Sequence, residues 1–529
     1  MSETEPIVEP APAAQVVVDL ETPSEADAVP VVDSLAATAD TPEVTVEKQD
    51  EVSSTIEPIE RVSFSERLSQ AKLGARLAFE AAMHTAYLRN AAQGWDMRTH
   101  LFVSAIRHFM TSSGKTVEQI QSLSKKGLPL KNDDIETIDF CIPAPTGADA
   151  EFLLSTISKA CTKLTTDAGI KEPTIDAPTL ADVPGEWVIY GREQKSDTIT
   201  CSPDDIVVIY AHGGAHYMGS ASGHRFLTAM YAEFANVKVL SIDYRLAPQN
   251  PMPAAITDFL VTYMYVLESL KLPCSQVFFA GDSSGGSLCL ASLATILNGQ
   301  GSEKRLPVPA GIITVSPFVD MTRCLPSESS KTVEKFDYLP GSNYYPNIKK
   351  SDAWPASNGR YWPYAENNAI THPFASPINT PSWVGGCPIA IIVSEERLRD
   401  SGLLFSKFYR ESGNPTYLYY HENLPHVFHF LGKDHLSVAK SMNEISGFIR
   451  DVLAQHKPSA EGEPAQTPLE SKVVAVTIRG EERPFIERRI PSLTHEELSK
   501  KMEQRVVELD NLLKYIVRSY YPRETPAKK

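Results

Sequence analysis

Val277-Phe278-Phe279-Ala280-Gly281-Asp282-Ser283-Ser284-Gly285-Gly286 is the stretch on which the fold turns. An apolar run of strand length meets Gly-x-Ser-x-Gly, and a pattern of helix length follows over 286–297. Glycine and serine are common, so the motif carries weight only through the strand before it and the helix after it. A serine on a sharp strand-to-helix turn is held with its hydroxyl exposed, and the flanking glycines remove side chains that would collide around the turn. The amides that open the following helix point at the same place and favour developing negative charge. Ser283 is therefore the candidate nucleophile. The alternative is a glycine-rich loop with an incidental serine.

Outward from this turn, from about residue 135, short β-branched runs alternate with helical patterns. Strands are expected over 206–210, 237–242, 277–280, 311–315, 389–393 and 416–420, and helices over 224–235, 254–270 and 286–297. Such alternation predicts a mostly parallel sheet with helices on both faces, a catalytic domain spanning 135–456. From 323 to 382 the alternation breaks into a Pro-rich, aromatic segment containing Phe336, Tyr338, Tyr344, Tyr345, Trp354, Tyr361, Trp362 and Tyr364. It is too long for a simple connection and reads as an inserted lid.

Three further constellations lie in order along this domain. His212-Gly213-Gly214-Ala215 follows the strand expected at 206–210, and its small residues let backbone amides approach a developing oxyanion. Gly213, Gly214 and Ala215, with the Ser284 amide, are the expected donors, and His212 is expected to shape the loop. Asp243-Tyr244-Arg245-Leu246-Ala247-Pro248 reads as scaffold, with Asp243 and Arg245 as a partly buried ion pair. Ser394-Glu395-Glu396-Arg397-Leu398-Arg399-Asp400 and then His426-Val427-Phe428 complete the order Ser, acid, His. A serine hydroxyl is a poor nucleophile until a base takes its proton, and that base needs an acid to fix its tautomer. His426 is the candidate base, ahead of His421 on the strand and His429 a short turn beyond. The acid is Glu396, with Asp400 and Glu395 as the alternatives.

Together His-Gly-Gly-Ala, Asp-Tyr-Arg-Leu-Ala-Pro, Gly-Asp-Ser-Ser-Gly-Gly and His-Val-Phe resemble the hormone-sensitive lipase family of α/β-hydrolases, over roughly residues 206–430. The resemblance implies an α/β-hydrolase fold with an eight-stranded sheet, a helical cap over the pocket and carboxylesterase activity without metal or cofactor. Ser283 and His426 then fall on the family's nucleophile and base, and Gly213, Gly214, Ala215 and Ser284 on its oxyanion-hole positions. Two positions depart from the pattern. Ala215 stands where the family usually has a third glycine, and Glu396 where Asp-Pro-Leu-Arg-Asp has its first aspartate. The expected substrate is a small, apolar ester, with lactones or amides as variants. A catalytically weak ligand receptor or a scaffold on the same fold is the alternative, and a lost histidine would be its sign.

The rest of the chain bounds the setting. Residues 1–60 hold fifteen Asp and Glu against the single Lys48 and no aromatic residue, which accounts for −14 of the formal charge of −16. That segment reads as a disordered acidic tail; the remainder is close to neutral and lacks the basic footprint of nucleic-acid binding. Residues 61–134 read as an N-terminal helical cap region, with Phe64, Leu68, Ala75, Phe79 and Met83 on one face and a second helix over 97–110. Residues 457–493 read as a linker. Over 494–529 an amphipathic helix opens with a Thr494-x-x-Glu497 capping box and carries Leu498, Met502, Val506, Leu509, Leu513, Ile516 and Tyr520 at steps of four and three. That stripe predicts docking on its own domain or a homodimer. The seven cysteines are scattered without a CxxC, and no signal peptide or spanning apolar run appears, so reduced thiols and a cytoplasmic, at most lipid-surface-associated, protein are expected.

Overall fold

The computed structural model describes Gly74 and residues 94–520, apart from 112–113, 128–129, 131, 192–198, 200, 300, 302–304, 343–347, 355–359 and 457–467; over 515–520 it describes the backbone alone. The acidic stretch 1–60 and the apolar face of Phe64, Leu68, Ala75, Phe79 and Met83 lie outside the described residues, as do Tyr344 and Tyr345. In chain order the elements are α1 (Met97–Thr111), α2 (Val117–Ser124), β1 (Ile135–Ile142), α3 (Gly147–Asp167), β2 (Val183–Tyr190), β3 (Val207–Ala211) and α4 (Ala221–Ala235). There follow β4 (Lys238–Ile242), α5 (Ala254–Glu268), β5 (Val277–Asp282), α6 (Ser284–Asn298), β6 (Gly311–Val315), β7 (Ile389–Ser394) and α7 (Arg399–Glu411). The last are β8 (Thr416–His421), α8 (Leu436–His456), β9 (Lys472–Val476), β10 (Glu482–Pro484) and α9 (His495–Tyr520).

The strands form one sheet in the order β1-β2-β4-β3-β5-β6-β7-β8-β9-β10. From β4 through β9 every neighbour is parallel; β2 runs antiparallel to both β1 and β4, and β10 antiparallel to β9. The central strands are buried on both faces, which explains their unbroken apolar runs. Along β3, Val207, Ile209 and Ala211 enter the core under α3, α5, α6 and α7, while Val208 and Tyr210 enter the core under α4 and α8. The helices end where their chemistry stops them: Ser220 caps α4 through the Gly223 amide, and Asn236 takes the left-handed conformation that closes it.

Three expectations change. The sheet has ten strands among the described residues, because part of the expected linker is sheet. Residues 472–476 pair in parallel with β8 and bury Ala475 and Val476, and 482–484 fold back on them. This short apolar run among charged residues reads as polar by composition, yet it finds an open ladder beside it. The expected lid at 323–382 is packed into the body: Tyr361, Trp362 and Tyr364 belong to the main core, and Trp354 is wholly buried. The stripe on α9 is occupied within its own chain. Leu498, Met502 and Leu509 are buried in the same core and Leu513 is buried too, so a homodimer through this face is corrected to docking on the domain. Its capping box is made in both directions, and Ser499 and Asp510 bond Asn379 and Asn367 of the inserted segment. No helix among the described residues is long and apolar enough to cross a membrane.

Candidate active site

The turn from β5 into α6 holds Ser283 at φ 50° and ψ −119°, a conformation rarely tolerated outside glycine. Its amide donates to the Val315 carbonyl at 2.8 Å, and its own carbonyl accepts from Phe318 at 2.9 Å, so β6 and the following loop fix the strained residue. The flanking glycines are sterically required. A Cβ on Gly285 would lie 2.0 Å from the Ala211 carbonyl oxygen, and one on Gly281 would lie 2.5 Å from the Gly285 backbone.

His426 sits on the loop after β8, fully enclosed, with Nε2 2.9 Å from Ser283 Oγ. Its Nδ1 bonds the Glu396 carboxylate, which lies on the loop after β7 and is wholly buried. Glu396 Oε1 takes the Ser394 hydroxyl at 3.0 Å and the Ser394 amide at 3.3 Å, so its other oxygen is left for the histidine. Burial disfavours charge on His426, but the Glu396 carboxylate outweighs it and raises the imidazole above its usual range. The arrangement can accept a proton from the serine and hold the resulting imidazolium. Asp400 is spent elsewhere: its carboxylate accepts from Ser327 N at 2.9 Å and Arg399 Nε at 2.9 Å. Glu395 bonds Arg399 and the Tyr420 hydroxyl. Of the two competing histidines, His421 bonds Glu444 at 3.0 Å and His429 bonds Ser441 at 2.9 Å.

The loop after β3 turns back through three residues of positive φ, Gly214, Ala215 and His216. A Cβ on Gly214 would lie 2.1 Å from the Met218 carbonyl oxygen. The methyl of Ala215 is accommodated against a cluster of Val117 and Ile120 of α2 with Tyr217, Ile348 and Trp354. Gly213 is the exception to the expected donor set. Its amide donates to Asp282 Oδ1 at 3.0 Å and so is not available to an oxyanion. The amides of Gly214, Ala215 and Ser284 have no acceptor among the described residues. His212 is structural: Nδ1 contacts the Gly213 carbonyl at 2.8 Å, the ring stacks on Tyr244 at 4.3 Å, and burial pushes its pKa down to about 3. Arg245 pairs with Asp258 at 2.7 Å rather than with Asp243, whose carboxylate accepts the Ala221 amide.

Residues 208–430 match the family model described as the alpha/beta hydrolase fold. Over this span the chain has the α/β-hydrolase fold. The hydrolase is 28% identical over 258 residues to an acetyl-hydrolase of Streptomyces hygroscopicus, covering 49% of this chain and 75% of that one. It is 27% identical over 255 residues to an ethyl acetate hydrolase of Pseudomonas putida, covering 47% of this chain and 73% of that one. A solved esterase from the bacterial hormone-sensitive lipase family superposes with TM-score 0.48 at 22% identity, over 68% of this chain and 99% of that one.

Three polar residues around the site carried no mark in the sequence reading of the hydrolase. Asp282, inside the quoted motif, accepts the Tyr210 hydroxyl at 2.7 Å as well as the Gly213 amide. Burial works against its charge, but His224 and Tyr210 hold its carboxyl below the usual range. Ser394 ends an apolar strand as an ordinary polar residue would. Asp337 is one of several acids in an aromatic segment, and nothing in its neighbours singles it out.

Proposed function

We propose that this carboxylic ester hydrolase cleaves small, apolar esters through an acyl-enzyme, with Ser283 as nucleophile, His426 as base and Glu396 as the acid. The observation that carries this reading is one continuous chain of contacts, from Ser283 Oγ through both nitrogens of His426 to a buried carboxylate. As Ser283 Oγ bonds the carbonyl carbon, His426 Nε2 takes the hydroxyl proton, and Glu396 stays ionised to balance the imidazolium. The carbonyl oxygen becomes an oxyanion facing the amides of Gly214, Ala215 and Ser284, and the start of α6 adds its dipole. Collapse breaks the bond to the alcohol oxygen, which leaves with the proton from His426. A water then attacks the acyl carbonyl, giving a proton to the same nitrogen; collapse breaks the bond to Ser283 Oγ, which takes that proton back from His426 as the acid product leaves.

Support for a small substrate comes from the relatives, whose names include acetyl and ethyl acetate hydrolysis. A ligand receptor has no use for a serine hydroxyl 2.9 Å from an imidazole backed by a buried carboxylate. A fluorophosphonate probe tests the reading, because only an activated serine reacts with it. Wild-type protein should be labelled and should hydrolyse p-nitrophenyl acetate and butyrate faster than the long-chain esters. Ser283→Ala should do neither, at an unchanged melting temperature. Hydrolysis by the purified variant within a few-fold of wild type would sink the assignment.

A further inference from the structure

The segment 336–339 reaches the triad from a direction that the mechanism leaves unused. Asp337 is buried, and its carboxylate gathers three amides: Arg397 N–H at 2.7 Å on Oδ2, and Leu339 N–H at 3.2 Å and His426 N–H at 3.4 Å on Oδ1. Arg397 directly follows Glu396. One carboxylate therefore ties the backbone beside the acid to the backbone of the base. The next residue, Tyr338, sets its ring T-shaped against the His426 imidazole at 5.8 Å. From outside, α1 grips the same segment. Arg107 donates to the Asp337 and Glu334 carbonyls, and Phe102 packs on Tyr338 at 6.2 Å. Converging amides favour an anion.

We infer that Asp337 is a positioning residue of the inserted segment: its carboxylate fixes the acid and histidine loops relative to each other and supplies a second buried negative charge beside His426. The inference rests on the triad reading above. The groups facing His426 come from every neighbouring element: Glu396 after β7, Asp337 and Tyr338 from the inserted segment, Asp282 and Ser283 from the turn after β5. The Arg397 guanidinium is turned to the carbonyls of Glu328 and Leu339 at 2.8 Å each. Attack by Ser283 converts His426 into a cation. A fixed anion that occupies neither ring nitrogen stabilises that cation without competing for the proton, and it keeps the ring aligned through the backbone. Burial and the charge of Glu396 push the Asp337 carboxyl up, while His426 opposes them, so the acid sits in mutual electrostatic contact with the pair.

Two variants test this, Asp337→Asn and Asp337→Ser, each assayed for kcat, KM, melting temperature and the pH profile of kcat/KM. Loss of the neighbouring charge lowers the histidine pKa, so the acid limb of the profile should move down by about one pH unit. Turnover at the optimum should fall ~10-fold with KM within two-fold, since the charge acts on a cation formed during reaction. Fluorophosphonate labelling of Ser283 should slow but persist. A folded variant with the wild-type acid limb and turnover overturns the inference. So does failure of both variants to fold, which would make Asp337 a structural staple alone. Activity surviving in Ser283→Ala would instead mark the failure of the triad reading, a separate outcome.

Discussion

Replacing Glu396 by glutamine removes one charge at nearly constant shape. In the native site one carboxylate oxygen meets His426 Nδ1 and the other takes both the hydroxyl and the amide of Ser394. A glutamine must turn its NH2 toward one of these donors. If it faces His426, the imidazole is driven to the wrong tautomer and Nε2 keeps its proton. If it faces Ser394, the Ser394 amide loses its acceptor and the imidazolium still lacks a counter-charge. By analogy with other serine triads, turnover should fall by on the order of 10⁴. At 1.36 kcal/mol per decade that is about 5 kcal/mol of transition-state stabilisation. Asp400→Asn is the matched comparison. Asp400 holds the Ser327 amide and the Arg399 guanidinium, so its loss should cost ~1–3 kcal/mol of stability and leave kcat within a few-fold. The assay is kcat for p-nitrophenyl acetate, with melting temperature followed in parallel. Should Asp400→Asn be the crippled enzyme while Glu396→Gln stays active, the assignment of the acid is wrong.

Other expectations follow from the same geometry. Because Glu396 raises His426 against the effect of burial, the acid limb of kcat/KM should have its midpoint above the ordinary histidine value near 6.5, activity being lost as the pH falls through it; a midpoint below ~6 contradicts that balance. Gly214→Ala should abolish hydrolysis with the fold intact, since the new Cβ would sit 2.1 Å from the Met218 carbonyl oxygen at a φ of 122°; a circular dichroism spectrum unchanged beside full activity would refute it. Leu509→Asp should destabilise the protein by more than ~3 kcal/mol in denaturant titration, because it places a carboxylate in the core beneath α9. Arg489→Ala should lower stability by about 1 kcal/mol, since its guanidinium donates to the Tyr420 hydroxyl at 2.6 Å and lies 4.8 Å over that ring; no change in melting temperature would count against the contact.

The parallel heart of the sheet was legible in the sequence because strands buried on both faces announce themselves as apolar runs. The expected segments at 311–315 and 277–280 meet β6 and β5 at or within two residues of their bounds. Strands β1 and β2 were not individually legible. Ile135–Ile142 alternates with Glu136 and Asp139, and β2 carries Pro184 and Gly185, which read as turn residues. The contacting site residues were legible because the chemistry needs particular residue types at particular places: glycine around the turn, a histidine late in the chain, an acid after β7. What the sequence concealed was which amides and carboxylates are already paired. Gly213 looks identical to Gly214 in the motif, and only the approach of Asp282 distinguishes an engaged donor from an open one. Asp337 stayed hidden because its partners lie 60 and 89 residues away, in two loops that only the fold brings together.

The hairpin of β9 and β10 has a practical consequence for where this protein can be cut. Without it, β8 would become an edge strand, its ladder groups from Tyr417 to His421 unpaired and its neighbours strongly apolar. Such a row is a template for another chain's strand, and exposed edges of this kind drive aggregation. On this side of the sheet the outermost strand among the described residues is β10, only three residues long and reading Glu482-Arg483-Pro484, with charge and a missing donor to discourage pairing. A fragment trimmed to residues 208–430 would keep Ser283, Glu396 and His426 yet present a long adhesive margin to solvent. Expression of the catalytic segment alone is therefore expected to yield insoluble material, and the boundary for a soluble fragment lies beyond α9.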